Sequence, residues 1–336
     1  MKTISVFAAL FGVLLFHSTS RAQRTPPAEG LDFTRQEPPR SDFFAENGMA
    51  RFRLRSGRLH LDRSCYRKGS AQFAVPPENE EFTETISVMA ARGLPSMHYS
   101  VNHPEQRISV SVQDATWMRI ESTLTKTGEQ AILEQPHHGE LVWTVQRGQL
   151  NEKYRGASLI HLLAQDSTGI KLHCGDLFRQ LLDGRCLMQI HHQTQVELMG
   201  QLENIPEISD TAVDELIEGL RSDRASSRRH AMKQLLQLGR PAAPMLRKVL
   251  LSNDLEIEQR ERIQEVLAQI LSVEDDTPAS LASSLANDRE HWRHVAHRMT
   301  DAQIRLVDQR LTGLNLAHVA GLDADSPRDR ISSRPR

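Results

Sequence analysis

The hydrophobic residues of this chain change their period once. From Ala50 to Val145 apolar side chains alternate with polar ones, whereas after Asn204-Ile205-Pro206 they fall three and four residues apart. A period of two places one face of a strand on a core, and a period near 3.6 gives a helix one apolar stripe. A chain that does the first and then the second is restricted to strands followed by helices. The predicted class is a multidomain α+β fold: a β-rich antiparallel α+β domain, then a short all-α stack of helical hairpins.

The alternation is clearest in ARFRLRSGRLHLD, where Phe52, Leu54, Leu59 and Leu61 interleave with Arg51, Arg53, Arg55, Arg58 and His60 around Ser56-Gly57. That pattern predicts a hairpin with an arginine face. ISVMA, SMHYSV, RISVSV, WMRIESTL and ELVWTV continue it, separated by turn formers such as Asn102-His103-Pro104. ASLIHLLA and GDLFRQLL then predict two short helices able to cover the sheet.

In the second half, Val213, Leu216, Ile217 and Leu220 make one helical stripe, with Ser209 and Asp210 as candidate N-caps. A motif recurs: Leu216-x3-Leu220 before Asp223, Leu246-x3-Leu250 before Asp254, and Leu281-x3-Leu285 before Asp288. Each copy precedes a second apolar-striped helix. A hairpin of this kind buries its stripe by stacking on the next, so these six leucines are the expected repeat core. Between the first two copies, Gly239 suits a helix C-terminus, while Pro241 and Pro244 suit the first turn of the helix that follows.

The stretch LGRPAAPMLRKVLLSNDLEIEQRERIQEVL, through Leu238, Gly239, Pro241, Ala242, Pro244, Leu246 and the capping Asp254, resembles the HEAT-like repeat family, including the short repeats of the phycocyanobilin-lyase type. The resemblance spans residues 209–300. It departs from the pattern where the first copy lacks a Gly-x-Pro joint and the third opens on Thr277-Pro278. What it implies is a curved stack that binds other macromolecules. Chromophore attachment, linked to some lyase-like members, does not carry over, because the repeat region has no cysteine.

Lys2 precedes the uncharged run Ile4–Phe16, which is shorter than the about 20 apolar residues of a membrane span, and Ser20-Arg21-Ala22 follows. This is the pattern of a signal cleaved after Ala22, so the expectation is an exported protein, periplasmic or extracellular, with no transmembrane segment in the mature chain. The remainder divides into a Pro-rich linker (23–48), the β-rich domain (49–203), the helical-repeat domain (204–322) and a basic tail (323–336). With 41 Lys and Arg against 43 Asp and Glu, the chain has no global field for nucleic acid, and none is expected as partner.

Three cysteines, Cys65, Cys174 and Cys186, do not make a disulfide scaffold. The favoured bridge joins Cys174 and Cys186, which flank GDLFRQLLDG. Pairing of Cys65 with either, and three free thiols, remain open at this level. His291, His294 and His297 stand at helical spacing beside the apolar Trp292, Val295, Ala296 and Met299, which leaves the histidines on the opposite, solvated face. His137-His138, His173-Cys174 and His191-His192 match no compact zinc pattern, so no metal is expected. No nucleophile elbow and no phosphate-cradling loop occur, so no catalytic residue and no cofactor is assigned. Arg51, Arg53, Arg55 and Arg58 form a candidate anion-binding face.

The sequence thus points to an exported, non-catalytic interaction or scaffolding protein with a protein partner. Its rival is an envelope hydrolase with a site in the β-rich domain near Cys174 to His192. N-terminal sequencing of protein from its native host should read Gln23 as the first residue; intact Met1 in a membrane fraction would reverse the export expectation.

Overall fold

A computed structural model describes residues 50–62, 69–75, 83–91, 94–206, 208–251, 254–271 and 275–313. The expected signal, linker and basic tail, and Cys65, lie outside the described residues. The architecture is α+β, with an antiparallel sheet domain followed by a stack of helices. Among the described residues no helix is long and apolar enough to cross a membrane.

The main sheet has eight strands that pair in chain order: β3 (Gly69–Val75), β4 (Thr83–Ala91), β5 (Leu94–Asn102), β6 (Gln106–Gln113), β7 (Trp117–Leu124), β8 (Gln130–Gln135), β9 (Leu141–Arg147) and β10 (Leu150–Gly156). Every pairing is antiparallel, the arrangement short connections allow. One row of registered side chains, Ile86, Tyr99, Val110, Ile120, Leu133 and Trp143, crosses six strands on the buried face. The opposite face carries Ser100, Ser109 and Glu121 in the same register scheme. This polar-out, apolar-in alternation is why one sheet face meets helices and the other meets solvent.

Helix α1 (Leu159–Leu181) packs on β7, β9 and β10. The two short helices expected here are one, bent at Asp166, whose φ of −140° and ψ of 69° leave the helical region. The bend survives because its carboxylate is used: Asp166 accepts from Trp143 Nε1 and from the Gly169 amide, each at 2.9 Å. Helix α2 (Leu187–Gln201) follows.

The hairpin of β1 (Phe52–Arg55) and β2 (Arg58–Leu61) is separate from the main sheet and buries Phe52, Leu54, Leu59 and Leu61. Gln135, from β8, accepts from the Leu59 amide and donates to the Leu59 carbonyl, which docks the hairpin on the sheet. At the tip, Ser56 and Gly57 both have positive φ. The Gly57 carbonyl accepts from the Leu159 amide at 2.8 Å, and a Cβ on Gly57 would lie 2.6 Å from the Ser158 Cβ.

The helical part runs α3 (Asp210–Arg221), α4 (Ala225–Leu238), α5 (Ala243–Leu250), α6 (Ile257–Ile270), α7 (Pro278–Leu285), α8 (Arg289–Val295) and α9 (Asp301–Gly313). Ser209 caps α3 as expected, accepting from the Ala212 amide. Gly239 takes a φ of 66° at the break, and Arg240–Ala242 form a short 3-10 turn into α5. Asp254, the expected cap of the following helix, is displaced by Glu256, whose side chain makes no cap bond. Gln259 and Arg262 of α6 instead donate to the carbonyls of Ile217 and Leu220 near the end of α3, where a cation also suits the helix dipole.

The hairpins divide between two apolar cores. Val213, Ile217, Leu220, Leu235, Leu246, Ile263 and Val266 form one, with Leu216 and Leu250 half-buried at its border. Leu281 and Leu285 join the other, which contains the sheet, α1 and α2, together with Trp292 and Leu311. The six recurring leucines therefore do not share one core. The reason is that α7 packs on α2, a helix of the sheet domain. Arg310 of α9 ties this region shut by donating to the carbonyls of Leu202, Ile205 and Pro206 and to Asn287 Oδ1.

Leu246→Ala should cost about 2–5 kcal/mol in a denaturant melt, because it opens a cavity in a sealed core. Half-buried Leu250→Ala should cost less, and exposed Glu261→Ala should stay within about 0.5 kcal/mol. Gly57→Ala should destabilise as well, since it adds a Cβ at positive φ against Ser158; a melt equal to that of the unaltered chain would contradict the close approach.

Candidate functional site

The arginine face expected on the hairpin is not an open surface. Arg51 is exposed, but Arg53 pairs with Asp62 at 2.9 Å. Arg58 donates to the Pro136 carbonyl at 2.5 Å and the Gly139 carbonyl at 2.6 Å, and Arg55 is half-buried. Burial, then the charge of Arg247, lowers Arg58 to about 10. Arg53 and Arg58 thus anchor the hairpin in the molecule, which leaves fewer than four of its arginines free to meet an anion.

The favoured Cys174–Cys186 bridge is also absent: both are free thiols. The sequence reading put both at the ends of a short helix. In the continuous α1, Cys174 lies in the interior on the buried face, and burial pushes its thiol up to about 12. Cys186 stands at the N-cap of α2, half-buried.

Two groups of side chains that the sequence left unassigned are instead brought together around buried histidines. The first lies where the start of α1 meets α8. Ser158 precedes α1, His161 is in its first turn, and Asp288 caps α8 by accepting from the amides of Glu290 and His291. Ser158 Oγ and His161 Nδ1 are 2.8 Å apart, and His161 Nε2 and Asp288 Oδ2 are 3.1 Å apart. A carboxylate only accepts, so His161 Nε2 donates to Asp288. Burial alone would raise the Asp288 carboxyl; the neighbouring His161 and His291 outweigh it and hold it well below the usual range.

His291 belongs to the same group. It was expected on a solvated face, yet it is fully buried, its ring 5.6 Å from that of His161. Its Nε2 accepts from the Gln195 side-chain amide of α2 at 3.1 Å, and its Nδ1 meets no hydrogen-bond partner among the described residues. Four types of side chain, hydroxyl, imidazole, carboxylate and amide, thus join three helices across one buried seam.

The second group runs from the sheet into α1. Gln106 donates to Ser122 Oγ at 2.8 Å, Ser122 lies 3.0 Å from His173 Nδ1, and His173 Nε2 lies 3.3 Å from Glu129. Glu129 also accepts from Arg147 at 2.7 Å, which in turn binds Glu152. Burial lowers His173, against the opposing pull of Glu129.

Each group has the serine, histidine and carboxylate of a nucleophilic relay, but in neither is the hydroxyl open to a substrate. Ser158 is 3% exposed and Ser122 is 2% exposed. A general base must be within reach of a substrate proton, and here the imidazoles reach only protein. Among the described residues no group of three or more His, Cys, Asp or Glu is placed to hold a metal. Shallow clefts among the described residues include one on the outer sheet face beside Ser100, Arg107, Ser109 and Glu121 and one at the α3–α4 joint beside Glu218, Arg221, Arg224 and Glu256.

No family model, no curated protein and no solved structure matches the chain. The site's chemistry rests on its own geometry.

Sequence reasoning missed Ser158, His161, Ser122 and Glu129 and read Asp288 only as part of a repeat, because the contacts that unite each group with its carboxylate span 127 and 44 positions. One signal was available: His161 interrupts the otherwise apolar LIHLLA, and a histidine there needs buried partners. Alkylation of the native, unreduced protein should label Cys186 and spare Cys174 until denaturant is added. A recovered peptide linking the two would contradict the structure.

Proposed function

We propose that this chain is an exported, non-catalytic interaction protein, and that its HEAT-like hairpin stack is the surface that binds a protein partner. The observation that carries this reading is a contrast in exposure. The side chains with relay chemistry are sealed, whereas Leu251 and Ile257, at 64% and 80% exposure, flank the α5–α6 joint. Exposed apolar side chains mark an interaction site where they form a contiguous patch, and these two are the candidates for one in the stack. Around them the stack is charged in blocks: α4 exposes Arg229, His230 and Lys233, and α6 exposes Glu258, Glu261 and Glu265. Such blocks orient a partner more than they hold it. The resemblance to HEAT-like repeats agrees with this use.

A hydrolase reading draws support from the Ser158, His161 and Asp288 distances, and burial of all three opposes it. One experiment separates the two. The mature chain and a Leu251→Glu/Ile257→Glu variant are used to capture proteins from the native envelope, while a panel of ester and peptide substrates is tested on the mature chain and on Ser158→Ala. The reading expects a captured protein whose affinity falls at least about tenfold in the double variant, and no turnover. Turnover that disappears in Ser158→Ala would overturn it.

A further inference from the structure

We propose that the seam where α8 meets α1 and α2 is an acid-operated latch: protonation of His291 forces α8 away from the sheet domain's helices. The seam is closed by a neutral ring. Gln195 points an amide N–H at His291 Nε2, so that nitrogen must be unprotonated for the contact to form. The second nitrogen, Nδ1, is buried with no hydrogen-bond partner among the described residues. A proton added to Nε2 meets this donor unless the Gln195 carboxamide turns over, and in either orientation the resulting charge sits in a site that is 0% exposed.

The surroundings add to the penalty. From α1, the His161 ring lies 5.6 Å away and is itself engaged with Ser158 and Asp288. From α2, His191 faces the cluster with a buried Nε2 that also meets no hydrogen-bond partner among the described residues, and His192 and Arg298 act on it electrostatically. His294 acts on His291 from its own helix, and Arg247 of α5 and Asp288 act on each other electrostatically. The one opposing charge, Asp288, is already committed to His161 and to two backbone amides of α8.

Burial accordingly pushes His291 well below its ordinary value and His191 down to about 4, with Arg298 and His192 adding to the latter. The direction of the pH effect follows from linkage. A histidine whose folded value is lowered stays neutral in the closed state but takes a proton at about 6.5 once released. The closed seam is thus fully favoured above about 6.5 and loses stability as the pH falls below it. Each proton taken up on opening raises the opening constant about tenfold per pH unit. His291 and His191 lie in one seam, so its response should be steeper than that of a single group.

Hydrogen exchange of the full mature chain, followed between pH 7.5 and pH 5 and corrected for the intrinsic exchange rate, reads this directly. Peptides covering Arg289–Val295 should lose protection by about tenfold or more per pH unit below about 6. His291→Phe, which keeps a ring but cannot titrate, should flatten that dependence by about one proton. Gln195→Glu, which offers the protonated ring a charged acceptor, should keep the seam closed to lower pH and serves if the first variant does not fold. Protection of α8 that is flat with pH overturns the proposal. So does a folded His291→Phe variant with an unchanged slope, or a Gln195→Glu variant that opens at higher pH.

Discussion

The fold depends on one buried junction at the tip of the first hairpin. The Gly57 amide donates to Asp276 Oδ2 at 2.6 Å, Arg240 donates to Asp276 Oδ1 at 2.9 Å, and the Asp276 amide donates to the Leu54 carbonyl at 2.7 Å. On its other side the Gly57 carbonyl receives the Leu159 amide that begins α1. A hairpin of four-residue strands is marginal alone, and here its two faces are used by different parts of the chain. Arg240 comes from the break between α4 and α5, Asp276 from the segment before α7, and Ser158 packs against Gly57. The sheet-side core and the hairpin stack are joined through this carboxylate. Burial pushes the Asp276 carboxyl up, partly offset by Gly57 and Arg240, so removal of either donor leaves a desolvated charge.

The same junction explains why polar side chains are placed where they cannot react. Ser158 abuts the hairpin tip and hydrogen-bonds to His161, which reaches Asp288 at the start of α8. A line of hydrogen bonds thus runs from hairpin to α1 to α8, each member satisfied by protein. In a low-dielectric interior, satisfied polar groups specify one packing, and an unsatisfied one is costly. In the adjoining seam His291 and His191 each keep one buried nitrogen with no hydrogen-bond partner among the described residues. That makes the seam sensitive to protons in a way the sheet's apolar face is not.

The strands were legible because a half-buried antiparallel sheet writes its register into alternation; Ile86, Tyr99, Val110, Ile120, Leu133 and Trp143 line one face, as their spacing required. The hairpin at Ser56-Gly57, the cap at Ser209 and the break at Gly239 were legible for equally local reasons. The continuity of α1 was not, because the bend at Asp166 depends on Trp143, more than twenty residues away in sequence. The burial of His291 was hidden as well. A helical stripe shows which face is apolar, but α8 is buried on more than that face, against α1 and α2. For the same reason Leu281 and Leu285 repeat the spacing of Leu246 and Leu250 yet serve a different core.

The most direct test of this account is equilibrium denaturation of the unaltered chain and of Asp276→Ala, followed both by tryptophan fluorescence and by far-ultraviolet circular dichroism. Trp143 and Trp292 both report the sheet-side core, while the helical signal includes the stack. If Asp276 joins the two cores, the probes coincide in the unaltered chain and separate in Asp276→Ala, with the helical signal of the stack lost apart from the tryptophan transition. Coincident transitions in Asp276→Ala at an unchanged midpoint would contradict the account.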